Sequence, residues 1–207
     1  MASSEKFTAK AVFNQLRHIE RQISNPSNKD IELDKSDMNY FLSPERDISS
    51  YSYYKQRLEE LYVYNRADVI HMVGWVITAP KDLAEGDEEN FFLECYRFLE
   101  KRYGEKNVIS AVVHRDESGK SHMHYCFIPA VADKKRGGEK LCVNDVLTPR
   151  EMNNFHPALQ KHLNDNGVKA KVLTGVTRAQ GGNRSVRQLK QERARTHQHT
   201  RERGRWG

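Results

Sequence analysis

The sequence predicts an α+β domain organised around an antiparallel hairpin. Three observations predict it. Residues 108–114 form a β-rich run (Val108, Ile109, Ala111, Val112, Val113), and the apolar character resumes at 125–128 after a polar connection over 115–121, the pattern of a hairpin with a long loop. Residues 69–78, VIHMVGWVIT, are apolar enough for a central strand. Residues 87–103 and the stretch opening at Thr148 repeat apolar side chains at helical spacing.

Taken in order, residues 1–6 are polar and expected to be a disordered N-terminus. Residues 7–22 predict a helix with Thr8 as N-cap and Val12, Phe13, Leu16, Ile19 and Ile23 on one stripe. It carries Arg17-His18-Ile19-Glu20-Arg21; His18 falls beside the stripe, and Arg17 and Arg21 share a face. A solvated polar face is the plain reading of that cluster. Residues 24–35 are turn-rich, 37–42 are a short strand candidate, and 43–47 are a turn or helix start. Tyr51, Tyr53 and Tyr54 precede a charged helix running to about residue 64, with Leu58, Leu61 and Tyr62 inward. Tyrosines among Arg and Lys either stack on bases or line a core edge.

The helix over 87–103 buries Phe92, Cys95, Tyr96, Leu99 and Tyr103, and its acidic first turn suits the helix dipole. After the hairpin come a basic loop, DKKRGG, over 133–138 and a short strand over 141–143. Thr148 then caps a helix with Pro149 at its first position and Glu151 closing a capping box. Met152, Phe155, Leu159 and Leu163 face inward, Pro157 kinks the helix, and Gly167 ends it. Residues 172–177 are a last strand candidate. From 178 to 207 the chain is a basic tail, with Glu192 and Glu202 its only acids, partly helical near 185–193 and able to meet phosphates. The expected organisation is therefore 1–6 loose, 7–177 the domain, and 178–207 the tail.

The chemistry concentrates at His114-Arg-Asp-Glu-Ser-Gly-Lys-Ser-His122-Met-His124. Residues two apart in a strand share a face, so His122 and His124 point the same way, with His114 ending the partner strand across the loop. Three imidazoles converging on rigid strands suit a divalent metal with positions left open for substrate. All-imidazole ligation favours Mn²⁺ or a later transition metal over Mg²⁺. A polar strand end with unrelated histidines is the alternative.

The net charge of +6 and the isoelectric point near 9.2 suit an anionic partner such as nucleic acid. There is no apolar run long enough to span a membrane and no signal-peptide core, and Cys95, Cys126 and Cys142 sit among apolar neighbours as reduced core residues. A cytoplasmic protein is the default expectation.

With these blocks in view, the chain resembles the Mob/Pre plasmid mobilisation relaxases, a branch of the HUH endonucleases. His18-Ile-Glu-Arg21 looks like the first motif. Ser27-Asn28-Lys29-Asp30-Ile31, with Ser36 and Asn39-Tyr40 after it, looks like the second. The histidine hairpin is the third. Trp75-Val-Ile-Thr78 and Gly181-Gly-Asn-Arg184 also fit, and the likeness covers roughly residues 10–193.

The resemblance implies a central, mainly antiparallel sheet with the metal histidines on central strands and helices packed on one face. It implies metal-dependent nicking and rejoining of one strand at a plasmid transfer origin, through a covalent 5′-phosphate intermediate, in the bacterial cytoplasm. The partners implied are single-stranded or hairpin origin DNA and the conjugation coupling machinery. His18 is the implied nucleophile, and Tyr40 is its main rival, ahead of Tyr51, Tyr53 and Tyr54. Glu117 is the candidate to hold the His18 proton, before Glu20 and Asp116. Arg21 joins His18 and Glu117 as a catalytic candidate; Arg21, Arg17 and Lys29 are candidates for flanking phosphates, and Asn28, Tyr40, Arg46, Arg66 and the tail for further DNA contacts.

The sequence departs from the family pattern at Ile19, where Asn is common, in the short stretch available for a first strand, and in a third motif one residue longer. Relatives often carry a further C-terminal region, so a relaxase domain or a short natural form is expected here. The competing functions are a nucleic-acid-binding protein with a structural metal, a metal-dependent phosphodiesterase and a purely structural domain.

Overall fold

The computed structural model describes residues 2–173 except Asn25, Ser27 and Glu85. A five-stranded antiparallel sheet forms the centre, in the order β1 (Ala2–Thr8), β4 (Ile70–Thr78), β6 (His122–Phe127), β5 (Val108–His114), β2 (Tyr40–Phe41). A small second sheet orders β3 (Leu61–Tyr62), β8 (Glu139–Leu141) and β7 (Ala130–Ala132). The helices are α1 (Ala9–Ile19), α2 (Ser50–Glu59), α3 (Glu88–Tyr103), α4 (Val143–Val146) and α5 (Pro149–Asp165), with a 3-10 segment at Leu33–Met38.

Strand alternation divides the core in two. Val73, Trp75 and Ile77 of β4, Met123, Tyr125 and Phe127 of β6, and Ala111 and Val113 of β5 pack with α3 and α5 on one face. Met72, Ile109 and Cys126 pack with Val12, Leu16 and Ile19 of α1 and Tyr54 of α2 on the other. Helices therefore cover both faces, where the resemblance implied one. The even-numbered residues of β6, His122 and His124, belong to the α1 face, and so does His114, which pairs with His122.

The N-terminus departs from expectation. Residues 2–8 are not loose: they form β1, paired along its length with β4 from Ala2↔Ile77 to Thr8↔Ile70. Its exposed polar residues suit an edge strand. Thr8 precedes α1 in extended conformation but its side chain caps nothing, and Phe13 is 44% exposed, off the buried stripe. The 37–42 strand candidate is mostly the 3-10 segment, with only Tyr40–Phe41 in the sheet. The charged helix ends at Glu59, not near 64, because Leu61 and Tyr62 pair with β8. β8 stops at Leu141, and Val143 starts a helix. Thr148 accepts from the Glu151 amide as predicted, but the Glu151 carboxylate turns to Arg102 and Tyr103 and leaves the capping box half made. Met152 is 39% exposed while Phe155, Leu159 and Leu163 are fully buried. Val172 and Leu173 belong to no strand; the rest of that candidate and the tail at 178–207 lie outside the described residues.

Candidate active site

The site begins at the end of α1. Arg21 donates its amide to the His18 carbonyl and Gln22 donates to the Arg17 carbonyl at 2.8 Å, a left-handed helix termination centred on Arg21 at φ 54°. Glycine usually takes that position because a side chain there is strained. Here the side chain is held. The Arg21 guanidinium donates to both oxygens of Asp116 at 2.7 Å each and to Glu117 Oε1 at 2.8 Å, and its Nη2 lies 3.1 Å from His114 Nδ1. Asp116 is fully buried and also accepts from Ser36 Oγ at 2.8 Å. Burial alone would raise its pKa, but the Arg21 hydrogen bonds and charge hold it well below the usual carboxylate range.

Ending α1 this way leaves the Ile19 carbonyl open, and His114 Nε2 donates to it at 2.7 Å. That bond leaves His114 Nδ1 as the accepting nitrogen, with Arg21 Nη2 its donor at 3.1 Å. Burial, and then the Arg21 charge, push the His114 pKa down to about 4. The three rings converge: centroids stand 4.7 Å apart for His114 and His124, 5.0 Å for His122 and His124, and 5.3 Å for His114 and His122. One nitrogen from each lies within 4.8 Å of the others. Burial, with the neighbouring imidazoles and Arg21 adding to it, lowers the His124 pKa far below its ordinary value. Three neutral imidazoles with converging nitrogens are a donor set that fits a divalent transition metal. His114, Asp116 and Glu117 form an overlapping group, but Arg21 occupies both carboxylates.

His18 lies on the same side of the sheet, half-buried. Its pKa is lowered by burial and by the Arg21 charge, against the opposing pull of Glu117 and Asp116, and its own charge weighs on His124. The neutral ring that a nucleophile needs is therefore favoured. Glu117 stands between Arg21 and Asn28, whose Nδ2 is 3.4 Å from Glu117 Oε2, and 3.8 Å from His114 Nδ1. The Asn28 turn is bound to the hairpin loop: Ile31 bridges Glu117, Glu32 donates to the Asp116 carbonyl at 2.7 Å, and Ser118 donates to Asp30.

The other candidates scatter. Tyr40 pairs with Val113 and packs with the α3–α5 core, on the face opposite the histidines, beneath the Arg115 guanidinium. Burial pushes its pKa up to about 12. Tyr53 donates to the Lys106 carbonyl, and buried Tyr54 pairs with His71 at 2.8 Å. Tyr51 packs edge-on against Phe13. Arg46 is a strut, donating to the carbonyls of Val108 and Ile109 at the end of β5 away from His114. Arg66 lies ahead of β4, at the end remote from Thr78 and its partner His122, and pairs with Asp68. Arg17 donates to the Gln22 carbonyl, and Lys29 is exposed. Arg21, a candidate both for the catalytic group and for a flanking phosphate, bonds Asp116 and Glu117. Sequence reasoning missed the Ile19 carbonyl and the anchoring role of Asp116; the Arg21–Asp116 pairing spans 95 positions and has no local signal.

Comparisons with known proteins bear on the family and the fold. A plasmid recombination enzyme from Staphylococcus aureus (type 1) is 27% identical over 85% of this chain and 44% of its own length. One from Streptococcus agalactiae is 30% identical over 94% of this chain and 39% of its own. The chain thus spans less than half the length of these relatives. Among solved structures, a Mn-bound MobM relaxase domain in complex with plasmid pMV158 oriT DNA superposes with TM-score 0.73 at 28% identity, over 93% of this chain and 97% of that one. A second Mn-bound crystal of that domain with oriT DNA gives 0.74. The Mob_Pre family model, described as plasmid recombination enzyme, matches residues 1–191, and the chain belongs to that family.

Proposed function

We propose that this chain is a relaxase domain: it nicks and rejoins one DNA strand at a plasmid transfer origin, with His18 as nucleophile. The observation that carries the reading is the convergence of the His114, His122 and His124 imidazoles on one face of the sheet, with His18, at the end of α1, near enough for its charge to bear on His124. Family membership and the Mn-bound, oriT-bound structural neighbours support it.

His114, His122 and His124 would hold a divalent ion, Mn²⁺ in preference to Mg²⁺, and that ion would supply Lewis-acid stabilisation to the scissile phosphate. The remaining steps belong to the chain's own groups. A neutral His18 ring nitrogen attacks phosphorus, the bond to the 3′ oxygen breaks, and a phosphorus–nitrogen bond to the 5′ phosphate forms. Glu117 takes the proton from the other ring nitrogen, with Asn28 and Arg21 fixing its oxygens. Arg21 orients Glu117 and anchors the loop through Asp116, while the Ile19 carbonyl fixes the His114 tautomer. Resealing reverses the sequence, with the 3′ hydroxyl displacing His18. Such chemistry would be carried out in the bacterial cytoplasm, where the plasmid is. No helix among the described residues is long and apolar enough to cross a membrane.

Single-stranded origin oligonucleotides incubated with protein and Mn²⁺ test the assignment. Wild type and Tyr40→Phe should form an acid-labile covalent adduct, and His18→Ala should form none. An adduct persisting in His18→Ala would refute the histidine nucleophile. Turnover of small phosphodiesters without any adduct would favour a hydrolase, and binding without cleavage a structural metal.

A further inference from the structure

A second surface, at the opposite end of β6 from the histidines, is also built to meet an anion. The loop at 133–138 is rigid. Buried Asp133 accepts from the amides of Lys135 at 3.0 Å and Arg136 at 3.4 Å, and its carbonyl accepts from Gly137 at 2.8 Å. Gly137 and Gly138 take positive φ values of 78° and 71° to close the turn. The fold of the loop lays Arg136 flat on Tyr62, its guanidinium carbon 3.9 Å from the ring centroid, with Tyr64 edge-on to Tyr62 at 5.0 Å. Both tyrosines are well exposed, at 39% and 38%. Soluble surfaces rarely fix two exposed aromatic rings side by side without a use for them.

The charge around these rings is one-sided. Lys134 and Lys135 are exposed and make no ion pair among the described residues. The nearby acids are already neutralised: Asp133 by Arg136, Glu139 by Arg57 and Lys106, and Asp145 by Lys140. Arg66, two residues beyond Tyr64, is exposed but paired with Asp68, so the unpaired charge here is that of Lys134 and Lys135. Basic groups interleaved with fixed aromatic rings are what a nucleic-acid backbone and its sugars engage.

We infer that Lys134, Lys135 and Arg136, backed by Tyr62 and Tyr64, form a second DNA contact that grips the phosphate backbone flanking the cleavage site. The inference rests on DNA being the substrate proposed above. β6 runs from the histidines to Phe127, and the chain then turns at residues 128–130 into the second sheet, so the loop lies off the end of β6 remote from His122. DNA held at both places would be anchored beyond the reach of the metal centre, so strand passage or rejoining need not release it.

The test is the salt dependence of binding to a labelled duplex of about 30 base pairs and arbitrary sequence. Lys134→Glu/Lys135→Glu is compared with wild type and with Lys161→Glu/Lys169→Glu, called the α5 variant, which reverses two exposed lysines, one on α5 and one just past its end. The loop variant should lower the slope of log affinity against log salt by about two, and the α5 variant should leave it unchanged. Equal slopes in wild type and the loop variant, or an equal fall in the α5 variant, would overturn the inference, the latter by showing a bulk charge effect. Adduct formation on origin oligonucleotides, scored in parallel with saturating loop variant, keeps the two readings apart. Loss of slope in a protein that never forms an adduct sinks the relaxase reading alone, and an unchanged slope in an active enzyme sinks only this one.

Discussion

Arg21 holds two roles that can be separated. Its backbone closes α1 in the left-handed region at φ 54°, and its side chain neutralises fully buried Asp116. Strain of this kind, about 1–3 kcal/mol, persists where surrounding contacts over-determine it. Arg21→Ala removes the contacts and keeps the strain; Arg21→Gly removes both. Each variant leaves a buried carboxylate without its partner, which costs about 3–5 kcal/mol. Each should also lose adduct formation, because Glu117 and the loop are no longer fixed. Arg21→Gly should nevertheless be the more stable of the two by about 1 kcal/mol in urea unfolding. Equal stabilities would mean that the helix end carries no strain.

Among the elements, β1 is the one that the sequence concealed. Its Ser-Ser-Glu-Lys run has the composition of a loose terminus, and only its register with β4 makes it a strand. Deleting residues 2–6 should strip the outer hydrogen-bonding edge of β4 and uncover Val73, Trp75 and Ile77 at their flank. We expect a fall in thermal midpoint of at least several degrees and concentration-dependent aggregation, both visible by scattering-monitored melting. A midpoint within a degree of wild type would return β1 to the status of an ornament.

By contrast β4, β5, β6 and α3 were legible, because each carries a long apolar run or a helical stripe that only one packing satisfies. The histidine trio was legible for the same reason, since two-residue alternation and a hairpin loop suffice to bring it together. The orientation of Tyr40 was not legible. It depends on pairing with Val113 across 73 positions, and a shift of one residue would have turned the ring to the histidine face. The hydrogen bonds of Arg46 and Arg21 were not legible either, because an arginine's acceptors, here the Val108 and Ile109 carbonyls and the Asp116 carboxylate, lie far along the chain.

For the molecule as a whole, the proposed metal site is also a fastening between layers. His114 and His122 end adjacent central strands, and His114 is tied to the C-terminal end of α1 through the Ile19 carbonyl. A cation there faces the negative end of the α1 dipole, with Asp116 and Glu117 beside it, so binding should favour the folded state strongly. At a free concentration of 100 times the dissociation constant, a ligand that binds only the folded chain adds about 2.7 kcal/mol. For a domain of this size that is a rise of roughly 5–10 °C in melting midpoint. Mn²⁺ should raise the midpoint of the EDTA-treated protein by that order, and Mg²⁺ at the same concentration by much less, since imidazole nitrogens suit the softer ion. His122→Ala/His124→Ala should abolish the Mn²⁺ shift, and His18→Ala should keep it, because His18 is not one of the three converging imidazoles and its proposed role is attack on the phosphate. A Mn²⁺ shift that survives in the double histidine variant would put the metal elsewhere in the protein and remove the physical basis for the nicking chemistry.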